Sequence, residues 1–155
     1  MIPWFDPRVA RIPVAEVGEP LADLGRVEAL RVAPWRSDPV RLRVSVLDRL
    51  VLAQTLLPRE LRFLVLRGYG PVALHVSGAA VDLTLCSVDG SELWMGTEVE
   101  GSTDEVRERR RVLTAALTGA GLVNYPAGWW HWSYGDRYWA WVTGAPAARY
   151  GPVPG

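Results

Sequence analysis

The stretch HVSGAAVDLTL, residues 75–85, decides the architecture. From residue 80 onward it alternates. Val81, Leu83 and Leu85 point to one face of a strand, while Ala80, Asp82 and Thr84 point to the other. Asp82 stands on the polar side, at the end nearer His75. The intervening VSGAA is small and turn-prone, so the chain can bring both side chains to one point. The turn VDGS at 88–91 predicts a hairpin, with ELWMG (92–96) as the return strand. Upstream, LRFLVLR (61–67) reads as a buried strand that stops at the turn signal GYGP.

Two helices frame these strands. Apolar residues recur at Val46, Leu47, Leu50, Val51 and Leu57, which predicts a helix from 46 to 57 with Pro58 just beyond it. The stretch STDEVRERRRVLTAALTGAG (102–121) predicts a second. Ser102 and Glu105 form a capping box; Val106, Leu113, Ala116, Leu117 and Ala120 form the inward stripe; Gly119 and Gly121 mark the end. The Arg107 to Arg111 cluster sits with Glu105 and Glu108 and reads as a solvated face. Residues 1–39 are rich in proline and turn formers and predict a surface wrap with short extended pieces such as ARIPVAEV (10–17). Two further strands are expected at 129–133 and 138–142, joined by the turn YGDR. The sum is an α+β fold: a single domain over residues 1–155, with a central antiparallel sheet packed against two main helices.

Composition bounds the function. At 49% hydrophobic and 22% charged, the chain can bury a sizeable core. Its 17 acidic and 17 basic residues balance, which argues against nucleic-acid binding. No apolar run has the roughly 18 residues of a membrane span, and the first residues lack a signal-peptide layout. Cys86 is the sole cysteine, so no intrachain disulfide forms. A cytoplasmic protein with a small-molecule partner is the expectation, with no nucleic acid or membrane as partner. Five of the eight tryptophans fall between residues 129 and 141, which suits an aromatic core or a pocket wall.

The histidine inventory is His75 and His131. With Asp82 they make a reasonable zinc shell, two imidazoles and a carboxylate with a fourth place open. A hydrogen-bonded structural set is the other reading of the same residues.

HVSGAAVD matches the His-x-x-Gly-x-Ala-x-Asp signature of D-alanyl-D-alanine dipeptidases, zinc peptidases related to the D-Ala-D-Ala carboxypeptidases. GWWHWSYGDRYWA (128–140) resembles their second signature, Glu-Trp-Trp-His followed by aromatics. The stretches DPRVARIPVAEVGEPLADL (6–24) and RRRVLTAALTGAGLVNYP (109–126) look like actinobacterial members. The resemblance implies a zinc-peptidase-like fold with Zn2+ held by His75, Asp82 and His131. In that family a glutamate before Trp-Trp-His moves the proton of the attacking water, and the arginine of Gly-Tyr-Arg-Pro stabilises the oxyanion.

Both of those positions differ here. The glutamate's place is Gly128, and the arginine's is Gly70, in RGYGP. A glycine supplies neither a base nor a cation. The chain is also compressed at GYGPVALH and at EVEGSTDE, where family members have segments that enclose the pocket. The expectation is therefore a repurposed zinc-dependent enzyme acting on a small molecule, as in specialised metabolism, with zinc as Lewis acid and without standard dipeptide hydrolysis. A non-catalytic small-ligand or zinc-binding pseudoenzyme is the first alternative, and a residual D-Ala-D-Ala dipeptidase the second. Arg67, Tyr69 and Trp129 are candidate pocket residues, Arg67 as a replacement cation. Glu98, Glu100, Asp136, Tyr69 and Tyr134 are candidates for proton transfer.

Overall fold

A computed structural model describes residues 2–96 and 103–154. The strands are β1 (Leu21–Asp23), β2 (Arg31–Val32), β3 (Arg41–Arg43), β4 (Leu61–Arg67), β5 (Ala80–Ser87), β6 (Val123–Asn124) and β7 (His131–Ser133). The helices are α1 (Pro7–Ala10), α2 (Val44–Thr55), α3 (Asp104–Gly119) and α4 (Arg137–Thr143). Five strands form the main sheet in the order β2-β4-β5-β7-β6, and β1 pairs with β3 beside it. The α+β reading holds. The sheet is antiparallel except at one edge, where β2 runs parallel to β4.

The alternation in β5 sorts the two faces. Val81, Leu83 and Leu85 are fully buried and join one core cluster with Phe63 and Val65 of β4. Helix α2 adds Val46, Leu47, Leu50 and Ala53 to that cluster, and α3 adds Leu113, Ala116 and Leu117. Both long helices therefore bury their apolar stripes on the same side of the sheet. The opposite face of β5 carries Asp82 and Thr84 and is left for the site.

One irregularity bears on function. Phe63, Leu64 and Val65 pair in steady register with Leu85, Thr84 and Leu83, but Arg67 then lies opposite Asp82. A regular ladder would set Leu66 there and keep Arg67 in phase with Phe63 and Val65, toward the core. The bulge inserts the extra residue and places Arg67 beside Asp82 instead.

Several sequence expectations are corrected. Residues 138–142 are not a strand but the middle of α4. Their aromatic alternation imitates period two, yet Asp136 caps a helix by accepting the amide of Trp139, and Gly144 ends it in the left-handed region. Strand 129–133 shrinks to β7, because Gly128 N–H donates to Tyr125 O and His131 N–H to Gly128 O in a preceding turn. The return strand 92–96 shrinks to one bridge, Glu92 opposite Cys86. Helix α3 is capped by Thr103, whose Oγ accepts the Val106 amide; Ser102 lies outside the described residues, and Glu105 pairs with Arg109. Arg110 does not join the solvated face: it donates to Met95 O and lies over the Trp129 ring. The extended N-terminal piece forms only beyond residue 12, with Val14 bridging Ala148, because Ala10 ends α1 and residues 11–12 turn. Among the described residues, no helix is long and apolar enough to cross a membrane.

A buried arginine ties these pieces together. Arg43, 3% exposed, donates Nε to Ser77 O at 2.8 Å, Nη1 to Glu19 O at 2.8 Å, and Nη2 to Gly151 O and Glu16 Oε1, both at 3.0 Å. Removing the guanidinium takes the side-chain donor from three carbonyls and the cation from the Glu16 carboxylate. Arg43→Met is expected to cost about 3 kcal/mol or more, read as a fall in the urea midpoint.

Acid should loosen the same region. Burial alone would raise Glu16 and Glu19, but it is outweighed. Amides of Gly18 and Gly151 and the charge of Arg43 lower Glu16; Ser45 and Tyr150 lower Glu19. Folded values below unfolded ones give stability that is present in full above the ordinary carboxylate range, about 4.3, and is lost as pH falls through the folded values. Melting temperature should hold on the alkaline side of that value and drop on the acid side. Glu19→Gln should show a shallower acid limb.

Candidate metal centre

His75 ends the short 3-10 turn Ala73–His75, Asp82 lies on β5, and His131 opens β7. Asp82 and His131 are direct cross-strand partners, so sheet register alone sets them side by side. His75 arrives from the loop before β5. Gly78 makes that loop possible: its φ is +69°, and a Cβ there would stand 2.6 Å from Leu21 Cδ2. The signature glycine therefore answers two demands at once, a left-handed backbone and a close approach. Arg43 fastens the loop further, through its side chain to Ser77 O and its amide to Gly78 O.

The three side chains converge. His131 Nδ1 lies 2.8 Å from Asp82 Oδ1, and His75 Nε2 lies 3.3 Å from Asp82 Oδ2. The imidazoles meet edge to face with centroids 5.1 Å apart. One donor atom from each residue falls within 4.8 Å of the others. Burial pushes the Asp82 carboxyl up, but hydrogen bonds from His131 and then His75 outweigh it and hold it well below the usual carboxylate range. The set is thus an anion flanked by two ring nitrogens, a donor set that suits a divalent ion of borderline softness. His75 Nδ1 is buried without a hydrogen-bond partner, so no neighbour among the described residues sets that ring's tautomer from behind.

One cavity opens on the whole cluster, and a second reaches it at Asp82 alone. One, of about 240 Å³, is lined by His75, Asp82, His131, Gly128, Trp130 and Tyr125 among others. The other, of about 370 Å³, is lined by Asp82, Arg67, Thr84, Trp35, Trp129 and Trp130 among others. Trp130, Arg67 and Asp82 line both.

The chain is similar to a D-alanyl-D-alanine dipeptidase of Synechocystis sp.. Identity is 34% over 89 residues, taking in 43% of this chain and 36% of that protein. The match therefore spans about a third of the relative's length. No protein-family model matches the chain.

The two glycines occupy different surroundings. Nothing lies within 4 Å of where a Cβ at Gly70 would stand. At Gly128 a Cβ would meet the Trp130 ring, with Cε2 and Cζ2 both at 2.9 Å. The indole of Trp130 lies against the bare backbone where the dipeptidase resemblance sets a glutamate. Of the other candidates, Trp129 walls the larger cavity, with Arg110 over its ring. Tyr69 turns toward Arg41, whose guanidinium lies 5.9 Å from the ring centre. Tyr134 accepts from Arg49 on the helical side. Asp136 spends one oxygen on Ser133 and the Trp139 amide; its burial raises its pKa, and it lines a separate cavity of about 260 Å³. Glu98 and Glu100 lie outside the described residues. Trp130, in the tryptophan cluster that suits a core or a pocket wall, lines both cavities. Trp35 and Glu92 are wall residues that sequence reasoning did not single out; their only sequence signals are an aromatic after a proline and a carboxylate just past the hairpin turn.

This asymmetry is testable. Gly70→Arg should leave stability within about 0.5 kcal/mol. Gly128→Glu should cost about 1–3 kcal/mol, because the indole has to move. In a Trp130→Ala background the Gly128→Glu cost should largely vanish, as a double-mutant cycle by urea denaturation will show.

Proposed function

We propose that this chain is a zinc-dependent enzyme of the D-alanyl-D-alanine dipeptidase kind, turned to a small-molecule substrate other than a D-Ala-D-Ala dipeptide. The observation that carries the reading is the convergence of His75, Asp82 and His131 donor atoms at a cavity wall whose expected glutamate position is glycine covered by an indole. The partial identity to a dipeptidase supports the same family.

Zinc bound there supplies Lewis acidity toward a carbonyl or carboxylate oxygen. The chain's own residues do the rest. Asp82, held as an anion, offsets part of the ion's charge, and the imidazoles of His75 and His131 hold its place. Arg67, set at Asp82 by the bulge, meets negative charge on the substrate. Trp130 closes the side from which the relatives' base would work. Loss of a base is typically worth 10²–10⁴-fold and of an oxyanion donor 10²–10³-fold, so ordinary dipeptide hydrolysis is expected near background.

A second reading, ligand capture without turnover, is favoured by one fact. Among the described residues lining the smaller cavity, Asp82 is the sole carboxylate. Metal analysis and turnover separate the readings. The purified protein, stripped and then titrated with zinc, should bind one ion per chain. His131→Ala should weaken zinc binding by at least about 10-fold. Zinc bound no more tightly by the wild type than by His131→Ala removes the reading. Release of D-alanine from D-Ala-D-Ala at a rate within tenfold of an ordinary dipeptidase would restore that activity instead.

A further inference from the structure

The larger cavity carries information about the substrate that the metal ligands do not. Its walls are three indoles, of Trp35, Trp129 and Trp130. Trp35 is 67% exposed, with the Arg36 guanidinium 6.0 Å from its ring centre, so much of its indole is open to a ligand. Trp129 and Trp130 meet edge to face at 5.7 Å and form a rigid corner. Between such walls a flat ring or planar acyl group gains stacking and burial at low entropic cost.

The cavity is also polar in a definite direction. Arg67 lines it at the metal end, opposite Asp82 on β5. Glu92 lines it at the other end, bridged opposite Cys86. Asp82 and Cys86 are four residues apart on one strand, roughly 13 Å between backbones. Neither the Arg67 nor the Glu92 side chain has a hydrogen-bond or ion-pair partner among the described residues. A groove with an unpaired cation at one end, an unpaired carboxylate at the other and indoles between is complementary to a ligand of opposite polarity.

Building on the enzyme reading above, we propose that this cavity takes a planar small molecule charged at both ends. Its carboxylate faces Arg67, at the Asp82 edge of the cluster, and its ammonium faces Glu92. The arrangement places the acyl end of such a molecule at the metal ligands and the amine end away from them. The substrate class is therefore an amino acid with its two charges separated by a ring or flat spacer.

Three probes of one ring size test this. 4-(Aminomethyl)benzoate carries both charges, 4-methylbenzoate the anion alone, and benzylamine the cation alone. Binding is followed by tryptophan fluorescence and calorimetry, in zinc-loaded and in chelator-treated protein. The two-ended probe should bind about fivefold tighter than either single-ended one, the upper end of what an exposed ion pair gives. Glu92→Gln should remove its advantage over 4-methylbenzoate. Arg67→Gln should remove its advantage over benzylamine in the chelator-treated protein. Zinc content should be the same in both variants, since neither residue is a ligand. Equal affinity for all three probes, no binding of any, or a preference that survives both substitutions overturns the proposal. Zinc measured on the same samples keeps the two readings apart. A protein that binds zinc but shows no probe preference fails here alone, and one with the preference but no zinc fails the enzyme reading alone.

Discussion

The Arg43 guanidinium is the constraint on which the site depends. It is buried, and a buried cation is tolerated only when its donors are met. Its partners come from three remote parts of the chain: Glu16 and Glu19 in the N-terminal wrap, Ser77 in the loop after His75, and Gly151 near the C-terminus. The Tyr150 ring lies beneath it at 5.1 Å. Satisfying this one side chain holds the Val76–Gly78 turn in place, and that turn delivers His75. The extended, proline-rich start of the chain, which has almost no regular structure of its own, thus has a structural task.

Asp82 is the second fixed point. The strand that carries it is anchored by Val81, Leu83 and Leu85 in the helix-covered core, so its polar face cannot rotate away from the cavities. Ladder pairing on one side gives it His131, and the bulge on the other gives it Arg67. The anion and the imidazole therefore meet across adjacent strands, with Arg67 at the paired position of the third. Two of these neighbours follow from hydrogen-bond register, and the third, His75, from a loop that needs glycine at position 78.

Around this centre, aromatic surface has been redistributed. Trp132 is a core residue, 1% exposed, with its Nε1 donating to Trp129 O. Its neighbours Trp129 and Trp130 are half-buried walls, and Trp130 lies against Gly128. Adjacent tryptophans with the same composition thus have different tasks, decided by the turn at 125–131 that precedes β7. The absence of a side chain at Gly128 is matched by the ring that fills the space, whereas Gly70 borders an opening.

Sequence periodicity by itself determined the α+β class, the two long helices, β4 and β5, because burial imposes period on a helix or strand. His75 and His131 stand out as the two histidines of the chain, whereas Asp82, one of many acids, is singled out by its place on the polar side of β5 and by the resemblance to the dipeptidase signatures. The sequence reading misjudged 138–142, where Trp139 and Trp141 imitate a strand while Asp136 and Gly144 cap a helix. It placed Tyr69 and Tyr134 as proton-transfer candidates although both rings sit with arginines elsewhere. Only the tertiary structure decided which face Arg67 takes. By simple alternation it belongs with Phe63 and Val65; a bulge of one residue moves it to Asp82, and such a slip leaves no periodic trace. Only the tertiary structure, likewise, brought Trp35 and Glu92 into one groove with the cluster. They come from loops whose positions follow from packing between distant segments rather than from any local preference.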